Sequence, residues 1–320
     1  MVPKVRSSYR ARPQFGEVMT VKIRDLIANE RTSLSFEFFP PKAKEGEDHL
    51  FGTVRRLEPF TPNFVSVTYG AGGGTLKNTR HVVKRIKEET SLTPMPHLTC
   101  IGQHQEELKA ILSDYTAMGV ENILALRGDP PEETTGHATK DRLCYANDLV
   151  QLAASLDAFS IGVAVYPEGH CESPNLGIDM VYTKEKIDAG ADFAITQMFF
   201  DNRYFYQFME RADRAGIRVP VISGIMPITN IEKVKRFSQM CGATLPAHLV
   251  ERMEVAASPA EVRKIGIDFA VKQCEDLWGN GVRYFHFYTM NRSKAVAEIL
   301  HSLDLGQGSN RRFTTAGESI

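Results

Sequence analysis

The chain has 320 residues, 42% of them hydrophobic and 24% charged, with 38 Lys plus Arg against 39 Asp plus Glu. This is a globular composition without the basic surplus that phosphate neutralisation needs, so it argues against nucleic acid or an anionic membrane and for small-molecule partners. No apolar run approaches the ~18 residues of a membrane span, residues 1–12 lack the apolar core of a secretory signal, and five scattered cysteines form no CxxC pair; reduced thiols in a cytoplasmic protein are expected.

In chain order, residues 1–20 read as a flexible leader carrying Lys4, Arg6, Arg10 and Arg12. From Ser33 onward, β-branched or aromatic runs alternate with amphipathic segments, the pattern of successive βα units. Strands are predicted over residues 33–39, 63–69, 95–100, 122–127, 160–166, 193–199, 219–223 and 284–288. Helices are predicted between and after them, over 45–58, 77–89, 104–118, 145–156, 179–189, 202–215, 230–240 and 292–303. In the third helix Leu108, Ile111, Leu112 and Tyr115 recur at i, i+3, i+4 and i+7, which makes one apolar stripe. Gly119, Gly190 and Gly216 each follow a helix, where a left-handed cap residue avoids a Cβ clash.

Two segments depart from the simple repeat: a polar insert over residues 130–142, and additional helix over 246–279 before the eighth strand. Residues 306–320 form a polar tail. Eight βα units within residues 21–305 predict a single (β/α)8 TIM barrel. A doubly wound open sheet fits less well, since no GxGxxG follows the first strand.

Active sites of such barrels lie at the C-terminal ends of the strands, so the polar residues there are the first candidates. Glu37 sits in the run Phe36-Glu37-Phe38-Phe39, where low dielectric disfavours the carboxylate and suits a proton donor; the plainer alternative is a carboxylate paired with a buried cation. Asp129 follows Gly128 at a strand end, where the backbone can approach a ligand and Arg127 would keep the carboxyl ionised; a turn-forming Asp before Pro130 is the other reading. His97 and His170 stand at or beyond strand ends, suited to a phosphate or cofactor edge. Gly70 to Gly74 form an anion cradle or simply a loop. Phe199, Phe200 and Phe237 are candidates to stack on a planar ligand. Glu168, His170 and Glu172 are the nearest approach to a metal cluster, and no metal site is expected. No Ser/His/Asp order or reactive-cysteine context suggests a covalent hydrolase.

Taken together the strand ends resemble the 5,10-methylenetetrahydrofolate reductases. The motifs are Ser35-Phe36-Glu37-Phe38-Phe39-Pro40-Pro41, Val65-Ser66-Val67-Thr68-Tyr69-Gly70-Ala71, Pro96-His97-Leu98-Thr99-Cys100, Leu126-Arg127-Gly128-Asp129 and Tyr166-Pro167-Glu168. Asp188-Ala189-Gly190-Ala191-Asp192, Ile195-Thr196-Gln197 and Phe285-His286-Phe287-Tyr288-Thr289-Met290-Asn291-Arg292 complete the set, in the family's order. The resemblance implies non-covalent FAD, with NADH or NADPH as hydride donor. It also implies ping-pong reduction of methylenetetrahydrofolate, polyglutamylated or not, to 5-methyltetrahydrofolate for methionine synthesis, by a homo-oligomer.

By the same resemblance, Glu37 matches the general acid and Asp129 a carboxylate that contacts the pterin and tunes the flavin. Thr68, His97, Arg127, Gly128, Asp129, Tyr145, Ala164, Tyr166, His170, Asp179 and Lys186 match FAD-contacting positions. Gln197, Phe237 and Arg292, with Glu37 and Asp129, match positions that contact folate or nicotinamide. Glu185 and Lys233 depart from residues common at their positions in relatives, and no appended regulatory domain is expected. The alternative from another class is a flavin-independent pterin-binding barrel that transfers methyl groups.

Overall fold

A computed structural model describes residues 21–30, 32–41, 43–69, 75–129 and 142–304. The predicted leader (1–20), the Gly70 to Gly74 stretch, residues 130–141 of the insert and the tail from 306 lie outside the described residues. All eight predicted strands are present: β1 (Ser33–Phe38), β2 (Phe64–Val67), β3 (Pro94–Thr99), β4 (Asn122–Leu126), β5 (Ser160–Val165), β6 (Phe193–Thr196), β7 (Val221–Ile225) and β8 (Tyr284–Tyr288). They pair in chain order, every pair parallel, and β8 closes on β1. The fold is therefore the (β/α)8 barrel.

Strand alternation sorts the side chains into two layers. On β1, Leu34, Phe36 and Phe38 belong to the apolar layer shared with Leu50, Val54 and Leu57 of helix α2 (Lys44–Leu57). Ser33, Ser35 and Glu37 take the opposite face, inside the barrel. The lower part of that interior is apolar: Phe64, Met95, Leu124, Phe193, Ile195 and Ile222 form one buried cluster. Gly162 makes room for it, because a Cβ there would lie 2.6 Å from Phe193.

A helix absent from the sequence prediction, α1 (Ile23–Asn29), adds Ile23 and Ile27 to this cluster. Its first amides find partners at strand starts: Ile23 N donates to Asn122 Oδ1 at 2.7 Å and Arg24 N to Ser160 Oγ at 3.1 Å. Those amides have no partner within the helix itself, so the two polar side chains fix where it docks.

Around the barrel run α2, α3 (Thr75–Glu89), α4 (Gln105–Ala117), α5 (Ala146–Ala154), α6 (Leu176–Asp188) and α7 (Asn202–Arg214). Gly119, Gly190 and Gly216 take positive φ after their helices, as predicted. Between β7 and β8 come α8 (Ile231–Cys241), α9 (Ala247–Glu254) and α10 (Pro259–Gly279), and α11 (Ser293–Ser302) follows β8. Periodicity assigns the seventh ring position to residues 230–240; in the structure α10 packs against α7 and α11 and fills it. The additions are thus α8 and α9. They form a separate apolar cluster with Met198, Phe200, Met226 and Ile228, residues just beyond the ends of β6 and β7. Gly266 permits the docking of α10, since a Cβ there would fall 1.8 Å from the Ile228 carbonyl oxygen.

Candidate active site

The interior changes character toward the C-terminal ends of the strands. Glu37, 7% exposed, is in register with Ser66 of β2 and Tyr288 of β8. Its Oε2 lies 3.5 Å from His97 Nε2 and 3.6 Å from His286 Nε2. His286 is held from two more sides, its Nδ1 2.8 Å from Ser35 Oγ and its ring stacked on Phe64 at 5.9 Å between centroids. Burial pushes His97 down to about 4 against the opposing pull of Glu37, so its imidazole is neutral near pH 7. His97 Nε2 has no hydrogen-bond partner among the described residues. Burial, then the Glu37 charge, raises the Tyr288 phenol well above its ordinary value, and its hydroxyl donates to Thr196 O at 2.7 Å.

The predicted burial of Glu37 is present, but its expected cause is not. Phe36 and Phe38 belong to the helix-side layer, and the carboxyl faces the two imidazoles. His286 and Tyr288 were visible as strand-end residues without being placed in the site. The signal that finds them is parity, since residues 284, 286 and 288 share the inward face with Glu37 through the β1–β8 register.

A second cluster occupies the ends of β4 and β5. Lys186 of α6 donates its Nζ to Ala164 O at 2.6 Å and sits 5.8 Å from the Tyr166 ring centroid. Burial lowers Lys186 to about 8, with Asp179 pulling the other way. Burial, then Asp179, raises Tyr166 to about 12, and its ring meets that of His170 edge-on at 4.7 Å. Asp179, in the first turn of α6, accepts from His170 N at 3.0 Å and Ser173 Oγ at 2.8 Å, which shapes the loop after β5. Gly128 has φ +85°, and a Cβ there would lie 2.9 Å from Thr99 Cβ, so the turn carrying Arg127 and Asp129 requires glycine.

Arg127 turns to Glu172 rather than to Asp129. Its guanidinium makes a two-pronged pair with Glu172, with Nη2 to Oε1 at 2.7 Å, while Nε donates to Gly128 O. The bond to Arg127 in turn holds the Glu172 carboxyl below the usual range. Glu172 meets the guanidinium fork with both carboxylate oxygens, and Asp129 is left exposed at the rim.

The remaining candidates ring the same mouth. Thr68 follows β2, its amide bonded to Phe38 O, and Gln197 follows β6, its Oε1 accepting from Met198 N. Phe237 lies on α8 against the added cluster, and Arg292 is the exposed N-cap of α11. Tyr145 caps α5 and is 63% exposed. Phe199 and Phe200 are buried core, Phe199 stacked on Phe205, and are not available to a ligand. Glu168 accepts from Thr244 N and Glu172 pairs with Arg127; among the described residues no three His, Cys, Asp or Glu are grouped to hold a metal. No described helix is long and apolar enough to cross a membrane. A groove of about 470 Å³ between α6 and α7 lies on the outer ring, away from these groups.

One mouth therefore carries a buried acid between two imidazoles, an exposed carboxylate, and cationic groups suited to an anion. The methylenetetrahydrofolate reductase family model matches residues 22–304. The 5,10-methylenetetrahydrofolate reductase of Escherichia coli is 41% identical over 277 residues, covering 86% of this chain and 92% of the relative. That of Buchnera aphidicola subsp. Schizaphis graminum is 38% identical over 292 residues, covering 91% and 98%. Among solved structures, an uncharacterised protein from Clostridium thermocellum, described as binding two copies of 5-methyl-5,6,7,8-tetrahydrofolic acid, superposes with a TM-score of 0.59 at 14% identity, over 89% of this chain and 97% of that one.

Proposed function

The chain belongs to the methylenetetrahydrofolate reductase family, enzymes that reduce methylenetetrahydrofolate, and from that premise we propose that it uses non-covalent FAD and NADH or NADPH in ping-pong order. Membership favours reduction over the methyl-transfer alternative. When bound, FAD supplies a two-electron store that takes hydride from the nicotinamide and returns it to the folate. The donor set at β4 and β5 fits such a group: Lys186 and His170 offer an ammonium and an imidazole to an anionic dinucleotide, Arg127 a guanidinium shared with the exposed Glu172, and His97 Nε2 on β3 is a buried ring nitrogen without a hydrogen bond among the described residues.

The observation that carries the reading is the carboxyl of Glu37, buried at the mouth between His97 and His286. Glu37 gives its proton to the amine nitrogen of the folate's five-membered ring, which opens the ring to an iminium ready for hydride. His97, neutral, adds no charge to that pocket, and Ser35 holds His286 so that its ring backs the carboxyl. Asp129, at the exposed rim, meets the pterin edge, and Gln197, Phe237 and Arg292 frame the folate or nicotinamide. Thr68, Gly128, Tyr145, Ala164, Tyr166 and Asp179 line or shape the FAD side. The Clostridium protein of similar fold is described as binding 5-methyl-5,6,7,8-tetrahydrofolic acid, a ligand of this class.

We further propose a cytoplasmic homo-oligomer that supplies methyl groups for methionine synthesis, and residues 21–305 as its one catalytic unit. The test is optical. The purified protein should be yellow, its flavin absorbance bleached by a reduced nicotinamide and restored by methylenetetrahydrofolate. A colourless protein that cannot be loaded with FAD sinks the proposal. Steady-state rates with NADH and NADPH identify the donor.

A further inference from the structure

Strand β1 delivers Glu37 and then runs into Pro40-Pro41, which have no amide hydrogen to continue a ladder. Regular pairing of β1 with β8 ends at Glu37 and Tyr288. Beyond Tyr288 the chain enters an unusual turn in which Met290 and Asn291 both take left-handed φ, 52° and 54°. The turn folds the Asn291 side chain onto Phe39, with Phe39 N donating to Asn291 Oδ1 at 2.8 Å and Asn291 Nδ2 donating to Phe39 O at 2.8 Å.

The side-chain amide thus occupies the place that a peptide group of β8 would take, and extends the β1–β8 pairing two residues past Glu37. Thr289 completes the seam, its hydroxyl donating to the carbonyl oxygen of Glu37 itself at 2.5 Å and accepting from Asn291 N at 3.1 Å. The buried Thr53 of α2 donates to Asn291 O at 3.0 Å, which ties the turn to the helix layer. Asparagine is the residue that meets both demands. It tolerates the left-handed region better than other side chains do, and its amide offers a donor and an acceptor side by side.

We propose that Asn291 is a positioning residue for Glu37: acting through the backbone of Phe39, it sets where the Glu37 carboxyl stands during proton transfer. This rests on the function proposed above, in which only the folate half-reaction uses that proton. Displacement of a reacting group by about 1 Å lowers a rate by as much as roughly a hundredfold. The seam bonds directly to the backbone of Glu37 and Phe39, so its loss should fall most heavily on the half-reaction that uses the Glu37 proton.

Two variants test it. Asn291→Gly keeps the left-handed turn and removes the amide; Asn291→Asp keeps the shape and removes the donor to Phe39 O. Hydrogen exchange by mass spectrometry over residues 33–41, read without substrate, should quicken in both relative to the wild type. In stopped flow, reoxidation by methylenetetrahydrofolate should slow roughly ten- to a hundredfold, well beyond any change in flavin reduction by the nicotinamide, with a shifted pH profile for the folate half-reaction only. Unchanged exchange in the segment, or equal slowing of both half-reactions, overturns the positioning role. A wild-type protein whose reduced flavin is not reoxidised by the folate overturns the function on which the role rests, whatever the exchange data show.

Discussion

The two ends of the barrel interior are built from the same strands, one or two inward positions apart, and they are opposites. At the N-terminal end Phe64, Met95, Leu124, Phe193, Ile195 and Ile222 close around Ile23 and Ile27 with no charged group among them. At the C-terminal end the inward positions of β1, β3 and β8 are Glu37, His97 and His286, all buried and in contact. Buried polar groups destabilise a fold unless they are paired, so the apolar end must supply the stability that the polar end consumes. The lesson is a division of labour along single strands. Substitutions at the apolar end should move stability and leave chemistry alone, whereas at the polar end they should move chemistry first and stability only through the titration of the buried groups.

The sharpest break in that comparison comes from the acid. Glu37→Gln is isosteric, and general acid–base groups are worth about 10²–10⁴-fold in rate. Folate-driven reoxidation should fall by that order while flavin reduction by the nicotinamide survives; equal loss in both half-reactions removes Glu37 from the role. At the opposite end, Phe193→Ala deletes a fully buried ring packed on Phe64 and Gly162. Loss of a core phenylalanine is destabilising by about 3–5 kcal/mol, read by denaturant unfolding. The folded fraction should turn over at the wild-type rate, and a specific loss of kcat would show that the two ends are coupled.

A smaller effect probes the polar end by pH. His97 is held near 4 in the fold by burial, below the ~6.5 of a free imidazole. Between those values the unfolded chain binds the extra proton, so stability is intact above about 6.5 and is lost as pH falls toward 4. Urea unfolding across that window should show the decline, and His97→Gln should flatten it. A variant as acid-sensitive as the wild type would place the titrating group elsewhere.

Legibility in the sequence depends on the range of the interactions involved. Alternation of β-branched runs with amphipathic segments is local, and it identified all eight strands and the capping glycines. Helix α1 escaped because seven residues with one i, i+4 pair, Ile23 and Ile27, hold too little periodicity to register. The ring position went to the wrong segment because α8 and α10 are both helical in sequence, and Gly266 against Ile228 O, a tertiary contact, decides between them. The same holds in the site. Glu37 stood out as a carboxylate in an apolar run, whereas Glu172 lies 45 residues from Arg127, and Asn291 lies 252 from Phe39. Asp129, two residues from Arg127, is the nearest carboxylate that local sequence offers it.

The mildest prediction concerns Lys186, which links the polar end to the helix ring. Burial lowers it to about 8, whereas a free lysine titrates near 10.5, so between those values the folded state has released a proton that the unfolded chain retains. Stability without cofactor therefore gains from this group as pH rises from about 8 to 10.5. Affinity for an anionic cofactor runs the other way, since it needs the ammonium, and should weaken above about pH 8 by at most about tenfold per pH unit for one proton. Lys186→Gln should abolish both slopes at once. Flavin titration and urea unfolding, each measured from about pH 7 to 10, read the two independently, and a cofactor affinity that declines as steeply in the variant would assign the alkaline limb to another group.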